Sequence, residues 1–159
     1  MNAVLTLARL HLALARPLDA FRPLVLLGIR LWVSAQFLSS GWLKLTTWDT
    51  TLFLFKDEYH VPLLPPAVAA VAGTFGELFF PILLVIGLFT RVGAIGLFAV
   101  NAMALISYWH VLGGDDFAAA RGQHYLWGLM TLVIAVCGAG GISLDRWLEA
   151  RAARRSIAA

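Results

Sequence analysis

The sequence predicts an all-α integral membrane protein: a four-helix bundle with an N-terminal interfacial amphipathic helix and a basic C-terminal tail. Three observations carry this. Sixty per cent of the 159 residues are apolar and 13 per cent charged, and the mean hydropathy is +0.82, far from the soluble average. The apolar residues fall into long runs separated by short polar loops. The run Ala67–Phe89, AVAAVAGTFGELFFPILLVIGLF, holds one charge and one proline, and about 20 such residues cross a hydrocarbon core.

Residues 1–22 resemble a signal peptide only superficially, because Arg9 and Arg16 interrupt the apolar run and no basic stretch precedes it. Asn2, Arg9 and Arg16 recur every seven residues and share one helical face opposite a leucine-rich one. That pattern predicts a basic amphipathic helix lying on the membrane surface.

The domain proper is expected over residues 23–142, with spans at about 23–45, 67–89, 92–112 and 122–142. Pro23 suits the first turn of the first span. Arg30, Ser34, Phe37, Gly41 and Lys44 alternate at steps of four and three, so they share a face. Gly41 permits close helix approach, and Lys44 can snorkel from the outer end. The loop 46–66 is polar and aromatic, long enough for a short interfacial helix near Leu52–Tyr59, and ends in paired prolines that disfavour helix just before the second span. The second span carries Glu77 and turns at GLFTR (87–91) straight into the third, which holds Asn101 and ends in Tyr108, Trp109 and His110. Gly113-Gly114-Asp115-Asp116 breaks the helix before the fourth span, which ends in GAGG. Residues 143–159 form the basic tail, with Ser143 placed to cap a short helix. Gly73, Gly76, Gly93 and Gly96 read as helix-contact positions.

Charge orients the bundle. With both termini inside, Arg9, Arg16, Arg22, Arg91, Arg146, Arg151, Arg154 and Arg155 lie on the inner side. Lys56 and Arg121, with Lys44 at the border, face Asp49, Asp57, Glu58, Asp115 and Asp116 outside. The positive-inside rule therefore places both termini in the cytoplasm. Basic residues flanking spans meet anionic headgroups, so the net charge of +3 does not argue for nucleic acid. The expected partner is the lipid bilayer, together with a protein partner or a second copy of the chain.

Glu77 is the residue that demands explanation. A carboxylate at mid-bilayer costs about 2.5–3.5 kcal/mol on insertion scales and should face the interior with a partner. Counted from the inner side by helix rise, Arg30 lies at about 10 Å, Asn101 at about 14 Å and Glu77 at about 18 Å. The expected arrangement is an Arg30–Glu77 pair with Asn101 hydrogen-bonded to it, either a register-fixing ion pair or a polar pocket that binds a headgroup or relays protons. His60, His110 and His124 gather near the outer side and are the candidate metal or haem ligands. No two of them have the four-residue spacing of a helical site, and His110 falls on the face opposite Asn101. Water-satisfied interfacial histidines are the commoner arrangement, so no metal is assigned. The lone Cys137 reads as core packing. No phosphate loop, GxGxxG, nucleophile elbow or CxxC is present, which argues against an autonomous soluble-type enzyme.

The ordered set of features resembles the DoxX family of small four-span bacterial membrane proteins over about Leu24–Leu148. The Arg30 face leading to SSGWLKL (39–45), the block GTFGELFFPILLVIGLFTR (73–91), Asn101 and GAGGISLDRWL (138–148) carry it. Arg30, Gly41, Lys44, Glu77, Gly87, Thr90, Arg91, Gly138 and Asp145 take the family's positions. LFKDEYHVPLLPP (54–66) is similar to a subgroup found beside genes for metal-stress or modified-peptide systems.

The resemblance implies an inner-membrane subunit of a quinone-linked or thiol-stress redox system, at most an oxidoreductase subunit and not catalytic alone. Quinone is the cofactor class it implies, with Arg30, Lys44, Glu77 and Asn101 lining the pocket. Two other classes stay open: a non-enzymatic scaffold or export partner for a metal-stress or modified-peptide system, and a small-solute carrier working as an oligomer.

Overall fold

The structure is a computed structural model that describes residues 2–158; the side chains of residues 2, 3, 8, 9, 15, 16, 157 and 158 fall outside the description. Its elements are α1 (Asn2–Thr46), α2 (Trp48–Asp57), α3 (Pro66–Ile86), α4 (Thr90–Ser107), α5 (Trp109–Leu112), a 3-10 turn (Asp115–Phe117), α6 (Ala118–Cys137) and α7 (Leu144–Ala158). No strand occurs among the described residues. Helices α1, α3 and α4 are long and apolar enough to cross a membrane. The protein is an all-α membrane protein.

No break separates the N-terminal segment from the first span. Helix α1 runs through Pro17 and Pro23 for 45 residues, about 67 Å at the usual rise. Every described side chain from Val4 to Arg22 is exposed, and packing begins only at Pro23 and Leu26. The polar face expected from Asn2, Arg9 and Arg16 rests on side chains outside the described residues.

From Pro23 onward α1, α3, α4 and α6 form a closed bundle: α1 lies against α3, α3 against α4, α4 against α6, and α6 against α1. The core is Val33 and Phe37 of α1, Leu84 of α3, Ala94 and Leu97 of α4 and Ile134 of α6. Gly41 sits where α1 and α3 touch: a Cβ there would lie 2.9 Å from Leu78 Cγ and 3.0 Å from Glu77 Cβ. Across the α3–α4 seam, Gly76 faces Val100 and Gly96 faces the Phe80 ring.

The expected loop helix is α2, whose Phe55 packs with Ala69 and Ala70 at the start of α3. The third span ends early, at Ser107, and α5 follows as a separate turn, so His110 leaves the α4 axis. Helix α6 is the fourth bundle member, but Arg121, Gln123 and His124 dilute its first turns and it is not among the helices that reach spanning hydropathy. It stops at Cys137, because Gly138 and Gly140 take positive φ of 79° and 77° and break the helical path. Ser143 does cap α7, its Oγ accepting from the Arg146 N–H at 3.2 Å. These connections define two ends of the bundle: a loop end with α2, α5 and the 3-10 turn, and a tail end with the α3–α4 turn and α7.

Candidate functional site

The buried acid has a cation partner, but not Arg30. Lys44 Nζ donates to Glu77 Oε1 at 2.9 Å, to Glu77 Oε2 at 2.8 Å and to Ser40 Oγ at 2.8 Å. The Lys44 side chain is 17% exposed and that of Glu77 9%. Helical side chains lean toward the N-terminus, so a residue reaches the level of one about a turn earlier. Gly41 is level with Glu77, and Lys44, one turn beyond it, folds back onto the carboxylate. Its three N–H bonds are all used.

Arg30 is about 16 Å below the level of Gly41 by helix rise, beyond the reach of its side chain. It is 1% exposed and serves helix ends instead. Nε donates to Leu84 O at 2.7 Å and Nη2 to Val85 O at 3.1 Å, both in the last turn of α3. Nη1 donates to Ala139 O at 2.8 Å and Ile142 O at 2.9 Å, just past α6. Carbonyls at helix C-termini lack intrahelical partners and carry the negative end of the dipole, which makes them a binding place for a guanidinium. The expected Arg30–Glu77 pair is therefore replaced by Lys44–Glu77, and Arg30 lies outside the pocket.

Asn101 is also bound elsewhere than expected. Its Nδ2 donates to His124 O at 2.9 Å, and its Oδ1 meets His124 Nδ1 at 2.9 Å. With Oδ1 facing the ring, Nδ1 is the donor and a neutral His124 keeps Nε2 as an acceptor. The His124 ring lies edge-on to Trp127, which in turn meets Phe37.

The three histidines do not converge. His60 and His110 stack with centroids 4.4 Å apart, while His124 belongs to the Asn101 pair. No group of three or more His, Cys, Asp or Glu placed to hold a metal occurs among the described residues.

Lys44, Glu77 and His124 all line a cavity of about 590 Å³ at the loop end, between α1, α2, α3, α4, α5 and α6. Asn101 stands behind it, orienting His124. The walls are mainly apolar, with Phe37, Phe55, Phe80, Val100 and Trp127 prominent. Tyr59 and Tyr108, edge to face at 5.2 Å, and Ser107 add hydroxyls. The Ser107 hydroxyl is buried with no partner among the described residues. Burial, followed by the neighbouring Tyr108, Glu77 and Glu58, pushes the Tyr59 phenol up from its usual range. Along the α3–α4 seam, Ala72, Ala99 and Met103 both line the cavity and are exposed, so it opens sideways on the apolar flank of the bundle.

Ser40, Tyr59, Tyr108 and His124 were not in the expected pocket. Ser40 carried a signal, standing four residues before Lys44 on one helical face. The tyrosines carried none, since they reach the cavity only through the fold of the 58–65 segment, tied by His60 N–H to Ser107 O at 2.9 Å.

The remaining family-like positions assemble at the tail end. Gly87 caps α3 at φ 70°. Asp145 accepts the backbone N–H groups of Phe89 at 2.8 Å and Thr90 at 2.9 Å, capping α4. Arg91 donates through Nη1 to Ala135 O and Val136 O, closing the end of α6. These residues clasp helix ends together.

No curated protein and no solved structure matches the chain. A family model, DoxX, matches residues 25–110, the stretch that contains Arg30, the Lys44–Glu77 pair and Asn101. On that match, over more than half of its length, this membrane protein belongs to the DoxX family.

Proposed function

We propose that the protein is the membrane subunit of a quinone-linked redox system and binds a quinone-class molecule in the loop-end cavity. The observation that carries this reading is the cavity itself: apolar walls, a lateral opening on the α3–α4 seam, and a few polar groups held by second partners. Such an apolar pocket with few convergent polar groups is the usual form of a small-molecule site. A lipid-soluble ligand can enter through the seam without crossing water.

The residues fit a quinone head. Tyr59 and Tyr108 hydroxyls offer donors, whereas His124 Nε2 and the spare lone pairs of Glu77 offer acceptors. Lys44 has spent its hydrogens on Ser40 and Glu77, so it acts on a ligand through charge and fixes the Glu77 carboxylate in place. A bound quinone supplies two-electron, two-proton chemistry. His124, fixed by Asn101, takes a proton at Nε2 from water at the loop end and passes it to the reduced ligand oxygen, and a second passage by the same route supplies the other proton. In this reading the electrons reach the site from a partner subunit.

In this reading the loop end faces outward and the tail end faces the cytoplasm of a bacterial inner membrane. The arginines flanking the tail end support that orientation.

The test is purification in gentle detergent, followed by mass spectrometry, an ultraviolet–visible spectrum and titration with a short-chain benzoquinone. Co-purified quinone, lost in Glu77→Gln and His124→Phe, is expected. A quinone-free particle that also fails to bind the analogue overturns the reading; if a protein partner co-purifies, the scaffold role takes its place.

A further inference from the structure

A second cavity, about 740 Å³, lies at the tail end between the start of the packed part of α1, the α3–α4 turn, the glycine-rich segment after α6, and α7. Arg22, Arg91 and Arg146 line it, each from a different element. Asp145 and Glu149 line it too, so three guanidiniums face two carboxylates and the groove keeps a positive excess. Both Asp145 oxygens are occupied by the Phe89 and Thr90 N–H groups. Glu149 meets Arg146 only at 3.5 Å, with both side chains 67% exposed, so that pair is weak. Thr90 also lines the groove, and its buried hydroxyl has no partner among the described residues. A buried polar group left unmatched calls for an unplaced water or ligand.

The groove is not purely polar. Phe89, Val92 and Leu148 line it and are themselves exposed. Three guanidiniums beside three outward apolar side chains match a molecule with an anionic oxygen-rich head and hydrocarbon chains. Free phosphate would use only the arginines and leave the apolar rim in contact with nothing.

We propose that this groove is a specific site for an acidic phospholipid. Its phosphodiester is held by Arg22, Arg91 and Arg146, and its acyl chains run over Phe89, Val92 and Leu148. Guanidinium is the group suited to paired hydrogen bonds with phosphate oxygens, and basic pockets between spanning helices take anionic headgroups. The bound lipid would tie α1 to the α3–α4 turn and to α7, adding a bridge across elements that Asp145 and Arg91 already clasp. The proposal is independent of the loop-end cavity and its ligand.

Native mass spectrometry of the full chain in neutral detergent tests it, with phosphatidylglycerol and phosphatidylcholine added in turn. The wild type is expected to retain phosphatidylglycerol selectively, at about one per chain. Arg22→Gln/Arg146→Gln removes two exposed charges and is expected to weaken retention roughly 25-fold, from about a fivefold effect per basic residue near a lipid surface. Arg151→Gln/Arg154→Gln removes the same charge from α7 away from the groove and should change retention less than about threefold. Equal losses in the two variants would mean diffuse attraction and overturn the site. Absence of selectivity in the wild type overturns it without reference to any variant. Displacement of the lipid by millimolar inorganic phosphate would show that the head alone is recognised, and would overturn the lipid as occupant.

Discussion

Lys44 folds back along α1 to hold both oxygens of Glu77, at 2.9 and 2.8 Å, and spends its third hydrogen on Ser40 Oγ at 2.8 Å. The pair joins α1 to α3 at the wall of the loop-end cavity, so its stabilising and binding roles must be separated by experiment.

Lys44→Met leaves the Glu77 carboxylate buried without its cation, which typically costs about 3–5 kcal/mol. The double variant Lys44→Met/Glu77→Leu should recover most of that, since a buried ion pair is often replaceable by apolar side chains. Thermal unfolding in detergent reads the stability. Quinone titration should show that the recovered double variant still fails to bind. A double variant that binds like wild type would make the pair purely structural.

Arg30→Met frees four carbonyls, two in the last turn of α3 and two in the segment after α6. Removing charged hydrogen bonds and leaving buried acceptors unmet should cost about 3 kcal/mol or more. Because Arg30 lies outside the cavity, the folded fraction should bind quinone within about threefold of wild type, a factor worth less than about 1 kcal/mol. Chemical unfolding beside ligand titration checks both halves.

Gly87→Ala is expected to be damaging and Gly28→Ala benign. Gly87 has φ 70°, and a Cβ there would lie 2.5 Å from Arg30 Nη2 and 2.6 Å from Ser143 Cβ. The left-handed conformation alone costs a side chain about 1–2 kcal/mol, before Arg30 is displaced. At Gly28 nothing lies within 4 Å of the added Cβ, and alanine in a helix interior should gain about 0.5–1 kcal/mol. Melting temperatures should therefore move in opposite directions.

Tyr59, after α2, should make the protein sensitive to alkali. Its phenol is raised by burial and by neighbouring negative charge, so the folded state holds the proton more tightly than the unfolded chain. Stability from this group is fully present below the unfolded phenol value of about 10 and is lost as pH rises through the higher folded value. Tyr59→Phe should flatten that part of the stability–pH curve. Ultraviolet difference titration of wild type against variant reads the delayed ionisation directly.

What the sequence by itself determined is the solvent and the all-α class. Apolar runs about 20 residues long can be satisfied only in lipid or a deep core, and helix closes their backbone hydrogen bonds internally. The turn at GLFTR and the cap at Ser143 were legible for the same local reason: glycine at a C-terminus and serine at an N-terminus satisfy orphaned backbone groups.

Partner choice was decided only by the tertiary structure. Glu77 announced that it needed a cation, and both Arg30 and Lys44 shared one face of α1. Depth counted along separate helices carries an error of about a turn, enough to exchange one for the other. Lys44 pairs with Glu77 because Gly41 brings α1 and α3 into register one turn below it. Arg30 is claimed by unpaired carbonyls at two helix ends, and Asn101 by His124. The cavity is assembled from six helices and the segment that follows α2. Its shape exists in no single stretch of the chain, because hydrogen-bond partners and enclosed volume depend on how elements stack, and residue spacing along one helix cannot specify that.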